Sequence, residues 1–131
     1  MKNILFLSLI TFTLISCNKK NETILLNNIT SKNTFWSLKI IDKDKTNYLG
    51  QNYVFQNNKT YLLYQSFAEN SLGVEYLDLH SNEKREWDYK NQRFYLSISD
   101  PNFVYKVVNY NKDTLWLKNN HNDFILIKHY K

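Results

Sequence analysis

The chain contains few of the residues that cross-link a protein or form its tightest turns. Among 131 residues there are one cysteine, one proline and two glycines. A single cysteine excludes an intramolecular disulfide. The shortage of glycine leaves no glycine-rich phosphate loop and no Gly-x-Ser-x-Gly nucleophile elbow. Asparagine tolerates a left-handed backbone better than most residues with a side chain, so we expect it to form many of the turns.

Positive charge is in modest excess and is dispersed. Lysine and arginine total 17, against 12 acidic residues. The cations occur singly or in pairs, such as Lys19-Lys20 and Lys84-Arg85. No run reaches the density typical of a nucleic-acid patch or a polybasic membrane patch. We therefore expect a solvated surface and no nucleic-acid partner.

The histidines and acids do not form a catalytic or metal-binding pattern. The three histidines are His80, His121 and His129. None is spaced for a helical metal site, and a metal needs convergent ligands. The carboxylate pairs Glu83 with Glu86 and Asp42 with Asp44 fall in polar loops, where solvated charge is the ordinary interpretation. The sequence predicts a protein that is not an enzyme and that holds no metal or cofactor.

The N-terminal segment carries the clearest information about location. Lys2 precedes an apolar run from Ile4 to Ile15, which is too short to cross a bilayer comfortably. The run ends in Leu14-Ile15-Ser16-Cys17, which resembles the lipobox of bacterial lipoproteins. The resemblance implies that residues 1–16 are a lipoprotein signal peptide. It also implies that Cys17 is lipidated, palmitate included, so that the acyl chains anchor the protein to a membrane.

Residues 17–33 continue as a polar tether that begins at the lipidated cysteine. One apolar patch, Ile24-Leu25-Leu26 with Ile29, is consistent with a short helix or with a first strand. We expect a flexible spacer followed by a short lid or plug. The resemblance to bacterial lipoproteins implies that a protein exported to the cell surface tends to carry an acidic stretch after the cysteine, whereas Asn18-Lys19-Lys20-Asn21-Glu22 stands here. This favours an outer-membrane protein that faces the periplasm.

Residues 34–131 form one domain in which strand follows strand. Apolar and polar residues alternate through about nine short segments at a spacing of roughly 8–12 residues, and short links favour antiparallel neighbours. The long apolar segment Phe124-Ile125-Leu126-Ile127 is expected to pair on both edges. The number of residues in the turn at Asn57-Asn58-Lys59 decides which side chains of the next strand face the core, and the sequence leaves this number open. The predicted strands are 35–42, 52–56, 60–66, 72–80, 85–90, 93–99, 103–110, 114–118 and 124–130.

Five motifs in this region occur in a characteristic order. They are a Trp followed by alternating apolar residues, a Tyr-x-Phe strand before a Thr-Tyr pair, a Glu-Trp-x-Tyr strand, an apolar strand, and Tyr-x-Val before Asp-Thr-Leu-x-Leu. The residues concerned are Trp36, Leu38, Ile40, Tyr53, Phe55, Thr60, Tyr61, Glu86, Trp87, Tyr89, Phe94, Leu96, Ile98, Tyr105, Val107, Asp113, Thr114, Leu115 and Leu117. This order resembles the small lipocalin-like lipoproteins of Bacteroidota. The expected fold is an all-β antiparallel up-and-down meander closed into a small lipocalin-like barrel, with a two-sheet β-sandwich as the alternative.

Aromatic residues are abundant, with ten Tyr, eight Phe and three Trp. A small barrel either fills its interior with side chains or holds one small ligand. The first hypothesis is a non-enzymatic lipoprotein that binds a small apolar ligand inside the barrel. The alternative is a filled barrel that acts as a protein-interaction module, an inhibitor or adaptor, through outer residues such as Tyr48, Tyr110, Trp116 and Tyr130. The candidate ligand-binding residues are Trp36, Phe55, Trp87, Tyr89, Phe94 and Tyr105.

Overall fold

The computed structural model describes residues 20–77, 84–97 and 100–131. Residues 20–29 of this part are helical and are called α1. A single 3-10 turn, Pro101–Phe103, comes before the seventh strand. The predicted signal peptide and Cys17 lie outside the described residues. The nine strands are β1 (Thr34–Asp42), β2 (Lys45–Phe55), β3 (Tyr61–Gln65), β4 (Val74–Glu75), β5 (Asp88–Lys90), β6 (Arg93–Tyr95), β7 (Val104–Tyr110), β8 (Thr114–Lys118) and β9 (Asp123–Tyr130).

All nine strands belong to one antiparallel sheet in the order β4-β3-β2-β1-β9-β8-β7-β6-β5. Strands adjacent in the sequence are adjacent in the sheet, with one exception: β4 and β5 do not pair and lie at the two ends of the order. The first and last strands, β1 and β9, pair with each other in the middle of the sheet. The prediction of an all-β antiparallel meander is confirmed. The sheet is not closed into a barrel by its named strands, so the two-sheet sandwich is as consistent with it as the barrel is.

Alternation of apolar and polar residues determines which face of each strand is buried. In β8, Leu115 and Leu117 are buried, whereas Trp116 between them is only half-buried. The last strand, β9, pairs with β1 on one edge and β8 on the other, as its apolar sequence predicts. In β3, Tyr61 and Leu63 pack against the core, so these residues form the inward face of the strand, which the sequence leaves open.

Two hairpin turns show how the chain reverses with little glycine. Asn91 and Gln92 have φ angles of 52° and 62° and join the paired residues Lys90 and Arg93, as in the two-residue turns that suit twisted strands. In the β2–β3 turn the left-handed residue is Lys59, at φ 66°. Asparagine therefore forms only part of the turns, and lysine and glutamine also adopt the left-handed conformation.

The described strands differ from the predicted ones around the first two hairpins and in β5 and β6. Strand β5 begins at Asp88 instead of residue 85, and β6 ends at Tyr95, whereas the predicted strand continues to residue 99. Strand β2 begins at Lys45, well before the predicted start at residue 52. Its first residues pair with β1, but they are mostly polar and exposed, so no apolar alternation marks them as a strand. Strand β4 has two residues, Val74–Glu75, where a strand over 72–80 is predicted. Residues 78–80 of that segment lie outside the described part of the chain.

Helix α1 packs on the inner side of the sheet. Leu25 and Ile29 are buried in the same core as Trp36, whose indole Nε1 donates a hydrogen bond to the carbonyl oxygen of Ile29 at 3.1 Å. The side chain of Asn28 donates to the carbonyl oxygen of Lys112 at 2.6 Å. The short-helix interpretation of the apolar patch is confirmed. In its described part, the segment expected to be a tether is held against the strands.

The segment between β3 and β4 covers the outer face of β1. The hydroxyl of Ser37 donates to the carbonyl oxygen of Glu69 at 2.6 Å, and Lys39 forms an ion pair with the Glu69 carboxylate at 2.7 Å. The side-chain amide of Asn52 donates to the carbonyl oxygens of Ser71 at 2.7 Å and Leu72 at 3.1 Å. This cover explains why Ser37 and Asn52 are buried although they lie on the face opposite the core.

Candidate functional site

The six aromatic residues predicted to line a ligand cavity are all buried, none more than 7 % exposed. They come from β1, β2, the segment before β5, β5, β6 and β7. All six belong to one hydrophobic core together with the α1 residues Leu25 and Ile29. The structure therefore brings the predicted set together. The next question is whether the rings surround a space or fill it.

Three of these rings are in mutual contact. The ring of Phe55 lies 5.3 Å from that of Trp87 and 5.5 Å from that of Phe94, and the Trp87 and Phe94 rings are 5.9 Å apart, all measured between centroids. Such separations are those of packed aromatic pairs. The indole Nε1 of Trp87 donates to the carbonyl oxygen of Gln56 at 3.2 Å, so its one polar atom is satisfied.

Of the other three candidates, Trp36 and Tyr105 are packed against neighbouring groups, whereas Tyr89 borders a cleft. Trp36 is fully buried beneath the end of α1, and the Lys128 Nζ lies 5.3 Å from the centre of its ring. The ring of Tyr105 packs edge-on against Phe124 at 5.3 Å. Tyr89 lines a cleft of about 490 Å³ that also includes Asn21 and Glu22 from α1. Five of the six residues are therefore packed within the core, and Tyr89 is the only one of the six that lines this open cleft.

The tyrosine hydroxyls in this core are stabilised in the neutral form. Burial raises the pKa of Tyr53 and Tyr105 above the ordinary value of 10.0, and neighbouring Tyr61 contributes in the same direction. Burial also raises the pKa of Tyr89. A neutral phenol in an apolar core is suited to hydrogen bonding and packing.

Ligands for a metal are not gathered anywhere in the described part of the chain. No group of three or more histidine, cysteine or acidic side chains occurs within residues 20–77, 84–97 and 100–131. His121 is exposed in the β8–β9 turn and His129 is half-buried on β9. Asp42 and Asp44 are exposed at the β1–β2 turn. His80 and Glu83, which the sequence analysis considered, are outside the described residues.

An apolar surface lies at the β4 end of the sheet, where the sequence predicts the middle of a strand. Val74 is 77 % exposed, and Phe67, Tyr76 and Leu77 are also exposed. We call these four residues the β4 edge. Strand β4 pairs with β3 alone and is the terminal strand on its side of the order. The alternating pattern could not reveal this exposure, because it shows which residues share a face and not whether another strand covers them.

Glycine at position 73 allows β4 to approach β3 closely. Gly73 has a φ of +84°, and a Cβ atom placed there would lie 2.0 Å from the carbonyl oxygen of Gln65. No residue with a side chain fits at that distance without a shift of the backbone. The backbone N–H of Tyr76 then donates to the carbonyl oxygen of Leu63 at 2.8 Å, which extends the pairing beyond Val74–Glu75.

The two ends of the strand order also meet through backbone hydrogen bonds. Thr60 and Glu86 form an isolated antiparallel bridge. The N–H of Tyr61 donates to the carbonyl oxygen of Arg85 at 3.0 Å, and the N–H of Trp87 donates to that of Lys59 at 2.8 Å. The segment that leads into β5 therefore lies beside the segment that leads into β3.

Comparison of the chain with protein-family models, curated proteins and solved structures found no match. The resemblance to lipocalin-like lipoproteins therefore stays a prediction. Within the residues that the structure describes, no helix is both long and apolar enough to span a membrane.

Proposed function

We propose that this protein is a lipid-anchored, non-enzymatic binding module of the bacterial cell envelope, with a filled β-domain that binds a protein partner through its outer surface. The observation that carries the proposal is the packing of Phe55, Trp87 and Phe94 against one another in the interior. Side chains already occupy the space that an apolar ligand would need. Filling of the interior therefore favours the interaction module over the carrier of a small apolar ligand.

The proposal includes closure of the sheet into a small lipocalin-like barrel. Among the described strands, the only sequence neighbours that do not pair with each other are β4 and β5. Strand β4 and the segment that leads into β5 lie along the same edge of β3 and of the residues just before it. Residues 74–76 bond to β3 at its far end, and residues 85–87 bond to the chain where β3 begins. We interpret β4 and β5 as two parts of one interrupted strand that completes the barrel. Its β5 part pairs with β6, whereas its β4 part pairs with β3 alone among the described strands.

The membrane anchor in this proposal is Cys17. Only residues 18 and 19 lie between that cysteine and Lys20, the first described helical residue of α1. An acyl chain on Cys17 would thus place α1, and the end of the domain that it covers, close to the bilayer. The segment Asn18-Lys19-Lys20-Asn21-Glu22 stands where a surface-exported lipoprotein would carry an acidic stretch, which favours the periplasmic side of the outer membrane.

The β4 edge is the surface that we assign to the partner. An edge strand presents unpaired backbone groups, and natural proteins usually protect such an edge with charge or proline. Here Val74, Tyr76 and Leu77 are apolar and exposed, Glu75 is the one charged residue between them, and the Arg85 guanidinium donates to the Tyr76 carbonyl oxygen at 2.7 Å. An extended segment of another envelope protein would add a strand along β4 and cover these side chains, a common mode of peptide recognition.

Site-specific photocrosslinking in cells of the original host tests this assignment. A crosslinking residue at Val74 is compared with one at Val108, a valine on β7 that is 60 % exposed and lies on the other side of the sheet order. We expect a discrete protein adduct at position 74 that Leu77→Lys abolishes, and no such adduct at position 108. Equal adducts at both positions, or none at position 74, would contradict the assignment.

Native mass spectrometry of the protein from the host envelope tests the filled interior. We expect the mass of the acylated protein with no further molecule bound and no fluorescence increase with an apolar dye, because the core aromatics already contact one another. A stoichiometric small molecule that is released only on denaturation would instead support the carrier function. Both outcomes can be read without knowing the partner.

A further inference from the structure

Three cations face outward in one row across neighbouring strands. Arg93 of β6 lies directly opposite Lys106 of β7, and Lys106 lies directly opposite Lys118 of β8. All three are exposed. Directly opposed residues on adjacent strands have their Cβ atoms about 5 Å apart, and like charges in this position are destabilising. The row is therefore expected to lower the free energy of unfolding, which suggests that it is kept for a reason other than stability.

In the described residues, an acidic side chain balances the positive charge of this row at one end only. The Nζ of Lys118 lies 4.0 Å from the Asp123 carboxylate, and both side chains are more than half exposed. In the described residues, no ion pair and no side-chain hydrogen bond involves Arg93 or Lys106. A long exposed pair such as that of Lys118 contributes little to stability. Arg93 and Lys106 are thus available to an anionic ligand.

The row lies in the wall of a concave surface. A cleft of about 980 Å³ extends over β6, β7 and the start of the β8–β9 turn. We call it the cation cleft. Besides the three cations and His121, its lining is dominated by side-chain amides and includes the ring of Tyr95. The amides belong to Asn91, Gln92, Asn102, Asn119, Asn120 and Asn122.

The chemistry of the lining indicates what the cleft is suited to bind. A side-chain amide carries both a hydrogen-bond donor and an acceptor, a combination that matches sugar hydroxyl groups. In Asn119 only the donor is available, because its Oδ1 accepts from the backbone N–H groups of His121 and Asn122. Adjacent strands are about 4.8 Å apart, so the three cations extend over roughly 10 Å, more than one phosphate or carboxylate group covers. A ligand that uses the whole row carries at least two negative charges separated by uncharged polar groups.

We propose that the cation cleft binds an acidic carbohydrate, a sugar chain that carries carboxylate, sulfate or phosphate groups. Arg93, Lys106 and Lys118 bind the anionic groups, and the amides of the three turns that border the cleft bind the hydroxyl groups. This site is separate from the β4 edge, because none of the four residues of that edge lines the cleft. It does not depend on the protein partner proposed above.

Calorimetric titration of the purified protein tests the site with defined probes. We expect hexagalacturonate and a heparin hexasaccharide to bind, with an affinity that falls as salt rises because exposed charges are screened. Maltohexaose, which is neutral, is expected not to bind. The double variant Arg93→Gln with Lys106→Gln should weaken binding at least tenfold. The matched control is the double variant Lys43→Gln with Lys45→Gln, which removes two exposed charges at the β1–β2 turn and should leave binding unchanged.

Two further measurements separate sugar recognition from general attraction of anions. An oligoglutamate of the same charge should bind at least tenfold more weakly than hexagalacturonate, and Asn120→Ala should weaken the sugar but not the peptide. Circular dichroism confirms that each variant is folded. Equal affinity for oligoglutamate, equal losses in the two double variants, or no binding of either acidic sugar would overturn the proposal.

Discussion

The ring of Phe55 in β2 packs against the indole of Trp87, with 5.3 Å between centroids and an interplanar angle of 61°. Trp87 lies immediately before β5, the last strand in the order, whereas β2 is the third. In a flat sheet six strand spacings would separate them by about 30 Å. The contact therefore shows that the sheet is strongly curved and that its two ends share one core.

Trp87→Ala is expected to destabilise the protein by about 3–5 kcal/mol, the range for removing a fully buried large aromatic residue. The loss combines the packing with Phe55 and Phe94 and the cavity that remains. Urea unfolding followed by circular dichroism measures it. The matched variant Trp116→Ala removes a half-buried indole from the outer face of β8 and should cost clearly less. Similar losses in the two variants would argue against a packed interior around Trp87.

Gly73→Ala should destabilise the domain by about 1–3 kcal/mol, because φ is +84° there and the new Cβ would overlap the carbonyl group of Gln65. Gly50→Ala is a control that separates the two causes. Gly50 also has a positive φ, of +76°, but its nearest contact for a Cβ atom is an ordinary 3.6 Å. Thermal unfolding of both variants should therefore show the larger loss at position 73, and an equal loss would mean that strain in φ alone matters.

Much of the strand pattern could be predicted from alternation alone. The segment Thr114–Lys118 is found as predicted, and Trp36 and Leu38 face the core. Alternation could not show that Ser37 and Asn52 would also be buried. Their burial depends on residues 66–72, which come from a distant part of the chain and cover the outer face of β1.

The candidate surfaces were harder to predict than the core. Burial of Trp87 or Phe94 follows from their size and from the apolar character of their strand positions. The cation cleft depends on register, because Arg93, Lys106 and Lys118 are far apart in sequence and only cross-strand pairing makes them neighbours. The β4 edge likewise depends on which strand ends the sheet, which no local pattern encodes.

Leu25→Ala should cost about 2–5 kcal/mol, as expected for a leucine that is 1 % exposed in the core. The neighbouring residue provides the control, since Ile24 is 55 % exposed and Ile24→Ala should change stability little. Chemical denaturation of both variants measures the difference. Equal and small effects would mean that α1 does not contribute to the folded core in solution, and that residues 20–29 act as a spacer.

Acidification should destabilise the protein through His129. Its ring stacks on Phe35 at 5.1 Å, and its buried Nε2 has no hydrogen-bond partner in the described structure. Burial lowers the pKa of His129 below 6.5, an effect that nearby Lys39 reinforces and Glu69 opposes. As pH falls below 6.5, the unfolded state takes up a proton that the folded state does not bind. Stability is therefore retained above pH 6.5 and decreases below it, by at most about 1.4 kcal/mol per pH unit.

His129→Phe removes this titration and retains a ring that can stack on Phe35. We expect the free energy of unfolding of this variant to change less between pH 7.5 and pH 5.5 than that of the unmodified protein. The matched variant His121→Phe alters an exposed residue in the β8–β9 turn and should keep the original pH dependence. Urea titrations at both pH values provide the comparison. If His129→Phe loses as much stability on acidification as the unmodified protein does, the acid sensitivity arises elsewhere and the neutral imidazole is not what stabilises this side of the sheet.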